Sequence, residues 1–223
     1  SGFEYKKSEV VLKAKYSVSE LKHRSMEAYY DAGEVMISGS PDGAIRGTAM
    51  HLFMEHFDFA GFGDEDAADY IDDQIALMMD TGHMTDEQAE LLDKGKLLTF
   101  AESELCRRMS AAAAEGLLFV EKPFVMGESP AALLSDYYAD EKLPSVEGAP
   151  MLLVQGIIDA FFVEDDEIVL VDYKTDRVKK ADELVGRYKK QMELYADALD
   201  RGLKKNVAQR IIYSFSLGCE VLL

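Results

Sequence analysis

The sequence predicts an α/β fold, a mixed central sheet flanked by helices with an N-terminal and inserted helical region, and three observations carry that expectation. Apolar residues recur three or four apart up to about residue 115. From Leu117 the period changes and short apolar runs take over, as strands do. A long amphipathic segment at 179–201 then separates the apolar pair of runs within 151–176 from a last apolar run at 207–215, an order that suits helices packed on a sheet. Residues 1–16 read as a linker or edge segment and 17–223 as one domain, with a helical insertion at about 64–115.

Taken in order, Ser17 opens S-V-S-E, a capping box in which Glu20 returns to the Ser17 amide. A helix should follow to Tyr30, stopping before Gly33, and the loop S-G-S-P-D-G precedes a second helix from about Ala44. That helix places Ile45, Met50, Phe53, Met54 and Phe57 on a broad apolar side. Gly47 weakens it, so the glycine should permit close approach of another backbone. His51 lies one turn later on the same side, and by periodicity alone it is a core or boundary residue. His56 reads as surface.

Residues 64–80 put Ala68, Ile71, Ile75 and Met78 on one face and acids on the other. Thr85 opens a second capping box, T-D-E-Q, and a third helix should run from about Leu97 to Glu115 before Gly116. The acidic faces of these helices should point to solvent. L-L-F-V-E-K-P-F-V-M reads as a strand with Glu121 its one acid, and Pro123 argues for an edge or a bulge. Residues 127–150, with three prolines, form a long connection, and the tail S-L-G-C-E-V-L-L adds a strand or frays.

The chemistry concentrates in M-L-L-V-Q-G-I-I-D-A-F-F-V-E-D-D-E-I-V-L-V-D-Y-K-T-D, residues 151–176. Strand alternation projects Asp172 and Lys174 together and Tyr173 to the opposite face. A hairpin turning over Glu164 to Asp166 brings Asp159 beside Asp172. A buried charge is costly unless it is paired or binds metal, and two hard oxygen donors with an open side suit Mg²⁺ or Mn²⁺, which take substrate phosphate as a further ligand. A lone D-x-K is commonly a pair of solvated hairpin charges, whereas a second Asp at hairpin spacing favours a metal site. Lys174 could then orient a water or neutralise a phosphate oxygen. Along 179–201, Leu184, Tyr188, Gln191 and Tyr195 fall on one face, where the amide and phenol either satisfy core hydrogen bonds or reach a phosphate backbone.

Composition sets limits. A chain of 223 residues with 48% hydrophobic content is long enough for one well-buried domain. No run of about 18 apolar residues suggests a membrane span, and the opening S-G-F-E-Y-K-K-S-E-V-V lacks a signal peptide's apolar core. The two cysteines, Cys106 and Cys219, are far apart. They read as small core thiols in a reducing compartment, and they argue against zinc or an iron–sulfur cluster. The net charge of −18 disfavours a free-standing DNA binder, because phosphate contacts dominate such affinity. Residues 64–104 hold thirteen acids against Lys94 and Lys96, a net of −11, whereas 177–190 hold six basic side chains against Asp182 and Glu183, a net of +4. Within that basic stretch Arg177, Lys179, Lys180 and Arg187 could form a rim for DNA or an ordinary solvated helix face.

R-G-T-A-M-H (46–51), E-K-P-F (121–124), G-I-I-D (156–159), D-Y-K-T-D (172–176) and Q-M-E-L-Y (191–195) resemble, in order, the motifs of the RecB-family PD-(D/E)xK nucleases. Within that family the pattern is most similar to the C-terminal nuclease domains of AddA-type subunits of bacterial AddAB helicase–nucleases. The resemblance covers nearly the whole chain from S-V-S-E-L-K onward. It implies a restriction-endonuclease-like fold and a Mg²⁺- or Mn²⁺-dependent deoxyribonuclease. It further implies an exonucleolytic module of a cytoplasmic, bacterial helicase–nuclease that processes double-strand breaks. It implies His51, Asp159, Asp172 and the Tyr173 carbonyl as metal ligands, Lys174 as the catalytic lysine, and Gln191 and Tyr195 as helix residues near the DNA strand. Glu121 matches a family position and is a possible further site residue.

The implied partners are DNA, as a single strand delivered by a helicase, the remainder of an AddA-type chain and an AddB-type subunit, with no membrane. The cysteine set that holds an iron–sulfur cluster in AddB-type relatives is missing here. No G-x-x-x-x-G-K-[ST] occurs, so no nucleotide is expected on this domain and ATP-driven movement would belong to the rest of a longer protein. Two alternatives stand beside this reading: a free-standing exonuclease or endonuclease of the same fold, and an inactive fold used for subunit contact.

Overall fold

The computed structural model describes residues 14–21, 41–63, 66–137 and 150–223. The chain divides into two compact units, a smaller one from 1–35 and 123–156 and a larger one from 36–122 and 157–223. In the smaller unit β1 (Lys15–Ser17) runs parallel with the start of β3 (Leu152–Glu164), Lys15 facing Leu153 and Ser17 facing Gln155. Ser17 then caps the helical residues 18–21: its N–H donates to Glu20 Oε2 at 2.9 Å and its Oγ accepts from the Glu20 N–H at 3.2 Å. The expected end of that helix lies outside the described residues. Residues 127–150 are not a bare connection, since α6 (Pro130–Tyr137) follows β2 (Leu118–Glu128) directly.

The larger unit carries the helical half and most of the sheet. Helix α1 (Pro41–His56) starts three residues earlier than expected, because proline is well placed in a first turn, where its missing N–H is no loss. Met50, Phe53 and Met54 are buried as expected, but Ile45 is 54% exposed. Helix α2 (Ala67–Asp80) is capped by Asp66, and it buries Tyr70, Ile71, Gln74, Ile75 and Met78 while Ala68 stays exposed. The inward stripe is therefore rotated from the expected one, drawn by the larger area of the tyrosine ring.

Thr85 forms its capping box with Gln88 and opens α3 (Asp86–Glu90). The single helix expected over 97–115 is two, α4 (Lys94–Ala101) and α5 (Glu104–Ala114). Ser103 makes the break, its side chain accepting from the Cys106 amide at 3.1 Å, as an N-cap serine does.

In the sheet of the larger unit the order is β3, β4 (Glu167–Lys174), β5 (Val207–Ser214), β6 (Cys219–Leu222), and β2 also pairs with β3. The β3–β4 pairing is antiparallel, with Ala160 opposite Val171 and Glu164 opposite Glu167. Asp165 and Asp166 both have positive φ, 51° and 68°, the signature of the two-residue turn whose twist matches the flanking strands. The β4–β5 pairing is parallel, joined through α7 (Ala181–Leu203), and β5–β6 is antiparallel. The sheet is therefore mixed. Every residue of β4 from Ile168 to Tyr173 is buried, which explains a continuous apolar run where an edge strand would alternate.

The core lies between the helical half and one sheet face. Phe53, Phe57, Phe59, Leu97, Phe100, Leu105 and Met109 meet Val169, Val171, Tyr173, Ile211, Tyr213 and Phe215 there. Cys106 is buried in it, and its thiol is pushed up to about 12 by burial, so it stays protonated and inert. Cys219, expected to be a second core thiol, is exposed on β6. His56 is half-buried rather than plain surface, its ring 4.3 Å from that of His83. Among the described residues no helix is long and apolar enough to cross a membrane.

Candidate active site

Strand β4 builds the site by alternation. Tyr173 points into the core, its ring 5.8 Å from that of Phe100 and its hydroxyl directed to Met109 Sδ at 3.7 Å. Asp172 and Lys174 project from the other face, where α7 packs. Asp172 is 0% exposed. It forms an ion pair with the Lys174 ammonium and accepts from Gln191 Nε2 at 3.1 Å. The same Gln191 nitrogen donates to the Tyr195 hydroxyl at 3.1 Å. Helix α7 can supply all these groups because Tyr188, Gln191 and Tyr195 follow one another at helical spacing on the face that buries Leu184, Met192 and Leu199.

Asp159, next to the Ala160–Val171 pair, is held by the Tyr173 backbone N–H, which donates to Oδ2 at 2.9 Å. His51 Nδ1 approaches that same Oδ2 at 3.6 Å. Burial lowers the His51 pKa, while the Asp159 charge and the Tyr173 backbone act the other way. Burial also works against the Lys174 ammonium, but the Asp172 and Asp159 charges outweigh it and hold the amine above its ordinary value. Lys174 is thus a protonated donor, not a free base.

His51 reaches the sheet because α1 comes close to the end of β4. A Cβ on Gly47 would sit 2.8 Å from Thr175 Oγ1, so the close approach is to a side chain and not, as expected from sequence, to a backbone. Gly47→Ala is expected to lower stability, overpacking of about 1–3 kcal/mol exceeding the helix gain of about 1 kcal/mol. Adding Thr175→Ala should return it. Urea unfolding midpoints check both, and a single variant more stable than the parent would show that Thr175 simply turns aside.

Glu121 sits at the margin of the same region. Burial first, then the charges of Asp159 and Glu55, push its pKa up to about 7. Its backbone is left-handed at φ 46°, a conformation that costs about 1–3 kcal/mol for such a residue. The irregularity anticipated from Pro123 therefore falls two residues earlier, on the acid itself.

The basic rim divides. Arg177, Lys179 and Lys180 are exposed. Arg187 is turned inward, Nη1 3.7 Å from Asp176 and Nη2 3.5 Å from Glu183, with its side chain 15% exposed. Two nearby acids outcompete solvent for it. Asp176, to which sequence reasoning gave no role, accepts from the Tyr188 hydroxyl at 2.8 Å, and the Lys174 ammonium lies 4.6 Å from the Tyr188 ring centroid. The one signal available beforehand was spacing: Asp176 continues the Asp172, Lys174 alternation, and Tyr188 precedes Gln191 by three.

Comparison with known proteins adds the lineage. A family model described as PD-(D/E)XK nuclease superfamily matches residues 20–218. The chain is 37% identical over 177 residues to the A subunit of the ATP-dependent helicase/nuclease of Clostridium botulinum (strain Loch Maree / Type A3), covering 77% of this chain and 13% of that protein. Over 243 residues it is 31% identical to the protein of the same name from Clostridium botulinum (strain Alaska E43 / Type E3), covering 100% of this chain and 19% of that protein. The Lachnoclostridium phytofermentans protein of that name is 34% identical over 205 residues, 80% of this chain and 15% of the relative. The chain thus spans less than a fifth of the length of these relatives.

Proposed function

The chain belongs to the PD-(D/E)XK nuclease superfamily, and on that premise we propose that it hydrolyses DNA phosphodiester bonds with Mg²⁺ or Mn²⁺ as the nuclease module of a larger helicase–nuclease. The observation that carries this is the meeting of Asp172, Lys174 and Gln191 with Asp159 and His51, groups from two strands and two helices far apart in sequence, inside one unit.

The donor set fits a hard divalent cation: two carboxylates, one imidazole, and the Tyr173 carbonyl beside them. Among the described residues no three His, Cys, Asp or Glu side chains form a ready-made cage, and the Lys174 ammonium takes up part of the Asp172 carboxylate. Mg²⁺ suits such a site, since it binds through one or two carboxylates, keeps waters and completes its shell with substrate phosphate. When bound, the cation would polarise the phosphate and make its water more acidic.

The protein's own groups do the rest. The Tyr173 N–H fixes the rotamer of Asp159, and Gln191 fixes that of Asp172, so neither carboxylate needs to reorganise when substrate arrives. Lys174, held protonated, positions the attacking water or offsets charge on a non-bridging oxygen. Tyr195, linked to Gln191, presents a hydroxyl toward the DNA strand. Arg177, Lys179 and Lys180 offer a small positive rim, while the overall charge of −18 suits a module that receives a strand rather than captures one. The implied partners are the remainder of an AddA-type chain and an AddB-type subunit.

Radiolabelled single-stranded and duplex DNA incubated with the chain, alone and with a helicase partner, tests this. Cleavage is expected with Mg²⁺ or Mn²⁺ and should cease on adding EDTA. Cleavage that persists in EDTA, or none under any of these conditions, would overturn the reading.

A further inference from the structure

Lys174 presents a problem that Asp172 alone does not solve. An ammonium on a flexible four-carbon stem, next to a fully buried carboxylate, is drawn onto that carboxylate and spends its N–H groups there. Yet an amine that acts on a water or a phosphate oxygen must keep a donor free to point at it. Among the described groups a second seat is built against Lys174: its Nζ lies 4.6 Å from the centroid of Tyr188, a ring only 2% exposed. A ring face holds a cation through its quadrupole, so with one N–H on the Asp172 carboxylate and one over the ring the third of the three donors can point elsewhere.

The ring is itself fixed. Its hydroxyl donates to Asp176 Oδ2 at 2.8 Å, Asp176 lies 3.7 Å from Arg187 Nη1, and Arg187 reaches Glu183 at 3.5 Å. Glu183 accepts from the backbone amides of Lys179 and Lys180 at 3.0 and 3.1 Å, which ties this chain of contacts to the start of α7.

We propose that Tyr188 is a positioning residue for Lys174: its ring holds the ammonium, Asp176 anchors its hydroxyl, and the amine keeps a donor aimed away from Asp172. This rests on the reading of Lys174 as the catalytic amine. A tyrosine that merely filled the face of α7 would do so equally well with any ring of the same size.

The full chain is prepared as Tyr188→Phe and as the same variant with one or three fluorines on that ring, a series that withdraws charge from the ring face at nearly constant volume. Two quantities are read. The first is acetylation of Lys174 by acetic anhydride relative to the other lysines, by peptide mass spectrometry without metal or DNA. The second is the cleavage rate at saturating DNA together with KM. Lys174 labelling is expected to change stepwise with fluorine number. The rate should fall about thirtyfold from Tyr188→Phe to the trifluoro ring, the scale of a desolvated cation–π contact, with KM unchanged. Labelling that is flat across the series would overturn the proposal even if every protein cleaves DNA. A wild-type chain that cuts nothing would instead overturn the nuclease reading, and the labelling series would still decide whether the ring holds the amine.

Discussion

Asp172→Asn is expected to leave the protein folded and to reduce metal-dependent cleavage by about 10²–10³-fold, the scale lost when a preorganised group at developing charge is removed. The choice of asparagine follows from the packing. Asp172 is wholly buried, with Lys174 and Gln191 both directed at it. Alanine would strand a buried ammonium, and breaking such a pair from one side costs about 3–5 kcal/mol, so an inactive Asp172→Ala protein would not separate lost chemistry from lost structure.

Asparagine keeps an oxygen for one of the two donors at nearly the same volume. Thermal unfolding within a few degrees of the parent, with single-turnover cleavage near background, is the anticipated pair of results. Cleavage at the parental rate in a folded Asp172→Asn protein would remove Asp172 from the site. A double variant, Asp172→Leu with Lys174→Met, sharpens the point. Replacing both charges by apolar groups of similar size is commonly neutral or stabilising, so a double variant that is inactive yet no less stable would show that the pair is there for chemistry rather than for the fold.

How much of this was legible beforehand depended on whether one element or two decided it. Strand alternation alone put Asp172 and Lys174 on one face and Tyr173 on the other, and the two-residue turn at Asp165–Asp166 set the register that brings Asp159 to the same end. Capping chemistry at Ser17 and Thr85 is equally local and equally readable.

Contacts set by how a helix docks were not readable. The exposure of Ile45, the inward turn of Arg187, and Thr175 as the neighbour of Gly47 all depend on the rotation of α1 or α7 about its axis, and periodicity fixes that only to within a residue. The break at Ser103 was a matter of weighing: a capping serine was present, but the apolar period continued through it. His51 is the clearest case. Nothing in its own helix distinguishes it from a core residue, and its partners, Asp159 and the Tyr173 backbone, lie over a hundred residues later.

Phe100→Ala is expected to be strongly destabilising, and it bears on what the helical insertion is. Its acidic composition suggests an appendage whose charged faces meet solvent. Its apolar faces, however, do not pack only on one another. Phe100 on α4 is 2% exposed, and its ring lies 6.2 Å from Phe59, 4.8 Å from Tyr213, 5.8 Å from Tyr173 and 6.0 Å from Phe215. Three of those four rings come from β4, β5 and the residue after β5, so one side chain joins the insertion to the strands that carry Asp172 and Lys174. Truncating a buried phenylalanine costs about 3–5 kcal/mol, a large share of the 5–15 kcal/mol typical of a whole domain. Leu77→Ala is the control. That residue is on the neighbouring α2 and 54% exposed, and its loss should change stability by no more than about 0.5 kcal/mol. Urea unfolding of the two variants, followed by near-ultraviolet circular dichroism, compares them directly. A large fall in midpoint for Phe100→Ala alone is the expected result. Equal, small shifts in both would mean that the insertion is detachable and that the sheet holds its site geometry without it.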